Sequence, residues 1–276
     1  MKIKAVLFSL VVFVSIFLGE CFAQASMVQR IVSLGPFLTE EIILLGAADR
    51  LVGVTTYCQV DNLDIEKIAT IIDVNIEKAI ELQTDLVLAT ALTSVDDVKR
   101  LRDLGIKVMV FPQAKNFDQM CAQFYLLAGI LDKMSKAKEI VSEARRQIVF
   151  IEKSHKDLPT QKVFIQVGSR PLFSVGKDSF INDLVVKAGG ANIAENSNEG
   201  LFSREEVLRA NPDIIIISGM GINFDTEKNI WLRYKTIDAV ANDRIFEFDA
   251  YRLCSPTPVS FVEALKELVG LFYPQL

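Results

Sequence analysis

The chain has 276 residues, half of them hydrophobic, and a formal net charge of −5. An acidic balance repels phosphate backbones, so no nucleic-acid partner is expected. One histidine and four cysteines exclude a histidine-rich metal centre and a disulfide-built scaffold.

The first element in chain order is an export leader. Lys2 and Lys4 precede Ala5–Leu18, 14 residues without a charge, and Ala23-Gln24-Ala25 offers a small-x-small cleavage site. The run is shorter than the roughly 20 residues that cross a bilayer. Residues 1–25 are therefore expected to be removed and the protein released into the periplasm. Leu18-Gly19-Glu20-Cys21 loosely resembles a lipobox, with Glu20 where a small residue belongs, so lipid anchoring at Cys21 is the alternative. Losing Lys2, Lys4 and Glu20 leaves 28 basic and 34 acidic residues, a balance of −6. Cys58, Cys121 and Cys254 remain, and the sequence does not pick a disulfide pair among them.

Short apolar runs then alternate with helical patterns. Strands are expected at Ile31–Leu34, Leu51–Val54, Leu86–Ala89 and Val108–Phe111, and again at Val163–Val167, Ile214–Ile217 and Ile245–Phe248. Brief, continuous apolar strands between helices point to an α/β fold with parallel sheets covered on both faces. No Asn-Gly or Asp-Gly hairpin turn is seen. From about Asp132 to Lys156 there is neither Pro nor Gly, and Met134, Ala137, Ile140, Val141, Ala144, Ile148 and Ile151 recur at helical spacing. A helix of about 24 residues, about 36 Å long, reads as a brace between two lobes. The expected organisation is leader 1–25, N-terminal lobe 26–131, connecting helix 132–158 and C-terminal lobe 159–276.

The halves repeat one another locally. Asn75-Ile76-Glu77 leads to Asp85-Leu86-Val87, and Ser203-Arg204-Glu205 leads to Asp213-Ile214-Ile215; in each copy the glutamate precedes the aspartate by 8 positions. Each copy places an N-cap residue, a first-turn glutamate, two helical turns and an aspartate opening a buried strand. Arg30-Ile31-Val32 and Lys162-Val163-Phe164 match in the same way. The helix dipole favours acidic first turns, but it does not explain a matched pair. One exposed carboxylate on each lobe suits a partner that engages both lobes through salt bridges.

Catalytic equipment is sparse. His155, among Lys153, Lys156 and Asp157, is expected to be a solvated surface residue, which leaves no histidine for a Ser/His/Asp arrangement. Gly219-Met220-Gly221 lacks the rest of a dinucleotide fingerprint. Binding features are richer: Gly35-Pro36-Phe37, Tyr57-Cys58, Arg170-Pro171-Leu172-Phe173 and Asp249-Ala250-Tyr251-Arg252 each follow a strand, where α/β sheets form their ligand crevice. Trp231 fits core or rim equally. The expectation is a non-catalytic binding protein. The rivals are an extracytoplasmic carboxylate hydrolase, which would show clustered buried carboxylates with shifted pKa, and a sensor or interaction module.

Along nearly the whole mature chain, from Arg30 to Pro274, an ordered set of segments resembles the periplasmic substrate-binding proteins of ABC importers for cobalamin, iron–siderophore and haem, the helical-backbone class III family. The set comprises Arg30-Ile31-Val32-Ser33-Leu34-Gly35-Pro36 with Thr39-Glu40, Leu45-Gly46-Ala47-Ala48-Asp49-Arg50-Leu51, Asn75-Ile76-Glu77, Leu104-Gly105-Ile106-Lys107-Val108, Gly176-Lys177-Asp178-Ser179, Ala188-Gly189-Gly190-Ala191-Asn192, Ser203-Arg204-Glu205 and Pro256-Thr257-Pro258. The resemblance implies two Rossmann-like lobes with central parallel sheets, joined by a single long backbone helix, and a monomer with its ligand in the cleft. It implies that Glu77 and Glu205 dock on the permease subunits, and that Pro36, Tyr57, Phe173, Asp249 and Tyr251 line the cleft, with Arg170 and Arg252 available to carboxylates. A tyrosinate from Tyr57 or Tyr251 could ligate haem iron. The chain departs from the cobalamin-binding members at Ile71 and Glu199, where those carry cleft tryptophans, and at Val259 in place of an arginine. The ligand classes left open are an iron chelate, haem or a corrinoid, with iron or cobalt arriving as part of the ligand and no resident cofactor.

Overall fold

The computed structural model describes residues 28–60, 62–70, 73–197, 200–219 and 221–276. The leader with Cys21, and positions Ile71, Glu199 and Met220, lie outside the described residues.

Strands β1 (Ile31–Ser33), β2 (Leu51–Thr55), β3 (Glu66–Ala69), β4 (Leu86–Thr90) and β5 (Lys107–Phe111) form a parallel sheet in the order β3-β2-β1-β4-β5. Helices α1 (Pro36–Leu44), α2 (Ile76–Glu81) and α3 (Val95–Asp103) connect them. Two antiparallel helices follow, α4 (Phe117–Ile130) and the long α5 (Met134–Ser154). Beyond α5 come β6 (Gln161–Gln166), the pair β7 (Gly168–Ser169) and β8 (Leu172–Phe173), α6 (Phe180–Lys187), β9 (Gly190–Asn192) and α7 (Arg204–Ala210). The chain then runs through β10 (Ile214–Ile217), α8 (Phe224–Trp231), α9 (Asp238–Ala241), β11 (Ile245–Glu247), α10 (Ala250–Cys254) and α11 (Pro258–Phe272). The second parallel sheet is ordered β11-β10-β6-β9.

The two sheets are the same design. Aligning β1 with β6 also matches β2 with β9, β4 with β10 and β5 with β11, so the second sheet is the first without β3. The repeated aspartates have a structural cause. Asp85 Oδ2 accepts the backbone N–H groups of Gln29 and Arg30 at 2.9 Å, while Asp85 N donates to Arg30 O at 2.8 Å. Asp213 Oδ2 accepts from Lys162 N at 2.7 Å, and Asp213 N donates to Lys162 O at 2.9 Å. Each aspartate clamps the start of the central strand beside it, which sets the register Ile31↔Leu86 and Val163↔Ile214.

Strand alternation sorts the core, as a pleat with period two requires. Ile31, Leu86, Leu88, Ile214 and Ile216 face one continuous core that includes α5 and α11. Val32, Val87 and Ala89 face the outer helices of the first sheet, and Phe164, Ile215 and Ile217 those of the second. Both faces of each sheet are covered, which is why these strands read as unbroken apolar runs.

The brace is 21 residues long, Met134–Ser154, rather than about 24. Asp132 has φ +56° and forms the turn between α4 and α5, so the helix starts two residues later than the Pro- and Gly-free stretch. Its buried stripe is Ala137, Val141, Ala144, Ile148 and Ile151. The hairpin β7-β8 was not expected. Its turn is Arg170-Pro171, joined by a cis bond, and carries none of the Asn-Gly chemistry that marks most two-residue hairpins.

Candidate ligand-binding cleft

In an open parallel sheet the crevice lies beyond the carboxyl strand ends, where the strand order reverses. That point is β1/β4 in the first sheet and β6/β10 in the second. At the first, a Cβ on Gly35 would lie 2.5 Å from Thr90 Cγ2, so glycine lets the chain leave β1 close beside β4. Pro36 then starts α1, where its missing N–H costs nothing. Phe117, at the start of α4, brings the lobes together: its N–H donates to Asp183 Oδ2 of α6 at 2.9 Å and its ring packs 5.0 Å from Phe261 of α11.

Three of the expected site residues meet in one place. Asp249 caps α10, accepting Arg252 N at 2.7 Å, and Asp249, Tyr251 and Arg252 line a cavity of about 260 Å³ between the lobes. Thr39, Glu40 and Ile43 of α1, Gln59 after β2, and Ser260 and Glu263 of α11 complete its wall. Tyr57 stands apart at the end of β2, 45% exposed. Arg170 is exposed at the hairpin turn, and Phe173 is half-buried against Gly168, with Leu201 bridged to it. Arg252 is not free: its Nη1 donates to Glu267 Oε2 at 2.5 Å. A second cavity of about 390 Å³ lies past β10 and β11 and also has Asp249 on its wall. Among the described residues, no group of three His, Cys, Asp or Glu side chains is placed to hold a metal ion.

The carboxylates of α1 and α11 were not singled out from the sequence. Glu41 is 1% exposed and its Oε2 has no hydrogen-bond partner. It borders a void of about 50 Å³ with Phe37, Gln113 and Phe180. Burial, reinforced by neighbouring Glu40, raises its pKa well above 4.5. Glu40 is raised by burial and then by Glu263, against a hydrogen bond from Thr257 Oγ1. The same surroundings push the Tyr251 phenol up to about 12, chiefly through burial and then through Glu40. A readable cue existed: Glu41 falls in the Leu38, Ile42, Leu45 stripe, where an apolar side chain belongs. Leu92 and Val95, just beyond β4, are 70% and 83% exposed.

His155 is not a solvated residue. It is 7% exposed, stacks on Tyr273 with ring centroids 5.6 Å apart, and closes the brace at the amino end of the second sheet, away from the cleft. Its charged sequence neighbours concealed a ring packed by the C-terminal segment. Trp231 is fully buried; its Nε1 donates to Gln166 Oε1 at 2.7 Å, and Glu227 and Arg204 complete the network.

Glu77 and Glu205 occupy like places. Asn75 caps α2 by accepting Lys78 N, and Ser203 caps α7 in a reciprocal box with Glu206. Glu206 serves that cap and Lys78 pairs with Glu66 and Glu81. Glu77 and Glu205 remain exposed, and among the described residues neither has an ion-pair partner. Both head helices that run antiparallel to their strands, so both sit at the carboxyl edge, one on each lobe.

Clustered, buried carboxylates with shifted pKa are what a hydrolase is expected to show, and Glu40 and Glu41 are such a raised pair; yet His155 lies at the other end of the second sheet and Cys121, a buried thiol, is itself pushed up to about 12 by burial. For Glu41 the folded pKa exceeds the unfolded 4.5. Its stabilising contribution is therefore complete below about pH 4.5 and is lost as pH rises through the folded value, at up to about 1.4 kcal/mol per pH unit for one proton. Urea unfolding of the wild type and Glu41→Gln at pH 5 and pH 8 checks this: the variant should be the more stable of the two at pH 8, with the difference shrinking at pH 5.

A family model described as periplasmic binding protein matches residues 31–251. An uncharacterised ABC transporter substrate-binding lipoprotein of Bacillus subtilis is 28% identical over 257 residues, covering 89% of this chain and 80% of that protein. The vitamin B12-binding protein of Yersinia pestis is 26% identical over 256 residues, 86% of this chain and 90% of that one. Among solved structures, a possible iron-binding periplasmic solute-binding protein of Staphylococcus epidermidis superimposes with a TM-score of 0.80 at 30% identity, covering 90% of this chain and 100% of that one. These relatives are binding proteins, and they give the hydrolase alternative no support. The chain belongs to the periplasmic binding protein family.

Proposed function

We propose that this protein is the extracytoplasmic receptor of an ABC importer, which captures an iron chelate, haem or a corrinoid and delivers it to the permease. The observation that carries the reading is the pairing of two like sheets, whose carboxyl edges bound one cleft, with an exposed glutamate at the same place on each lobe that has no ion-pair partner among the described residues. A relative described as vitamin B12-binding and a structural neighbour described as a possible iron-binding protein support the corrinoid and iron-chelate classes. The leader supports export from the cytoplasm, with the protein free in the periplasm after cleavage near Ala25; the alternative is a lipid anchor at Cys21, and the Bacillus relative is described as a lipoprotein. The metal is cargo, the protein acts as a monomer, and it performs no chemistry on its ligand. The lobes, 26–131 and 159–276, hold the ligand between them while the brace, 132–158, fixes their separation.

Native mass spectrometry and an absorbance spectrum of protein purified from its source test this directly. A Soret band, a corrin spectrum or the mass of an iron chelate is expected; an amino acid or sugar in the cleft would refute the ligand class.

Docking is tested separately. Exposed ion pairs contribute only about 0–1 kcal/mol each, so they orient the receptor more than they hold it. Replacing both Glu77 and Glu205 by Lys should abolish stimulation of transport by the receptor and leave ligand affinity within about twofold, since neither residue reaches the cleft cavities. Undiminished transport by the double variant would remove the docking role.

A further inference from the structure

The two cavities that share Asp249 have an unusual electrostatic character. Glu40, Glu263 and Asp249 stand on the first, and Glu247 and Asp249 on the second. Arg252 is the one cation lining either among the described residues, and Glu267 already holds its guanidinium. The wall therefore carries more carboxylates than cations, and its one cation is already paired with a carboxylate. A separate observation points to a ligand at the second cavity. Ser218, at the carboxyl end of β10, is 3% exposed and lines the cavity; its N–H donates to Gln166 O at 2.9 Å, but its buried hydroxyl has no partner in the chain. A buried hydroxyl in a native structure is nearly always hydrogen-bonded, so this one is placed for something that enters from outside the chain. Beside it, Gly219 keeps the wall close: a Cβ there would meet Ile222 Cδ1 at 2.6 Å and Val167 O at 2.9 Å.

We infer that this wall receives a hydrogen-bond-donating edge of the ligand, bearing amide or ammonium groups and no carboxylate, so that the cleft selects neutral or cationic metal chelates over haem and polyanionic iron complexes. The inference rests on the receptor reading and narrows it. Carboxylates accept but do not donate when ionised, so they match N–H edges and repel propionates brought against them in a partly desolvated space. The negative field is already felt within the cavity, where Glu263 helps raise Glu40 and Glu40 helps raise Tyr251.

Titration calorimetry of the purified full chain with four probes tests the selection: cyanocobalamin, ferrioxamine B, haemin and a ferric tris-catecholate. The expected result is that cyanocobalamin or ferrioxamine B binds at least tenfold more tightly than haemin and the tris-catecholate. Asp249→Asn combined with Glu263→Gln, which keeps side-chain shape, should narrow that gap at least threefold, and Ser218→Ala should weaken the preferred probe. The wild-type ranking alone decides if a variant fails to fold. Haemin or the tris-catecholate binding as tightly as the other two would overturn the charge selection and leave the receptor reading standing. Binding of none of the four would overturn the metal-chelate reading and this inference with it.

Discussion

The buried stripe of α5 is the constraint on which the rest depends. Ala137, Val141, Ala144, Ile148 and Ile151 belong to a single hydrophobic core that runs from Ile31 in the first sheet to Phe272 at the end of α11. Burying a large aliphatic side chain contributes roughly 1.5–3 kcal/mol, so opening the lobes along this seam would expose several such groups at once. Lys266 Nζ donating to Gln147 Oε1 at 2.6 Å, and the Phe117–Phe261 ring pair, add contacts across the same joint. A core shared by both lobes is not a hinge. The cleft is accordingly set before a ligand arrives, which lowers the ordering cost of binding and leaves selection to the chemistry of the wall.

The internal repeat gives that rigid frame its symmetry. Asp85 and Asp213 fix the central strands in register, and the helices preceding them carry Glu77 and Glu205 to equivalent places. A rigid brace converts a local repeat into a fixed distance between two carboxylates, which is what a partner with two matching cations would read. In a hinged molecule that distance would vary with occupancy.

What could be read from the residues follows from burial. The central strands, such as Ile214–Ile217, are covered on both faces and stand out as apolar runs. Two of the four edge strands do not: Glu66-Lys67-Ile68-Ala69 is half solvated and Gly190-Ala191-Asn192 has no apolar run, whereas the edges β5 and β11 keep apolar runs that the sequence shows. The brace was legible because one face of α5 is apolar and the other charged, while its first turn was misplaced because Asp132 adopts a left-handed turn that composition does not announce. The cleft was half legible. Asp249, Tyr251 and Arg252 follow a strand and therefore attract notice, but Glu40 and Glu263 reach the first cavity from two helices and Ser218 the second from another strand, and only the folded chain brings the two cavities together at Asp249. His155 shows the converse error, since a ring surrounded by lysines in sequence is surrounded by Tyr273 and Gly189 in space.

A preformed cleft makes a strong statement about motion. Small-angle scattering of the free protein and of the protein saturated with its native ligand measures it most directly. With the lobes locked through α5 and α11, the two scattering profiles should superimpose apart from the mass of the ligand. A marked contraction on binding, as when two lobes rotate about a hinge, would contradict the shared core as the element that sets the cleft.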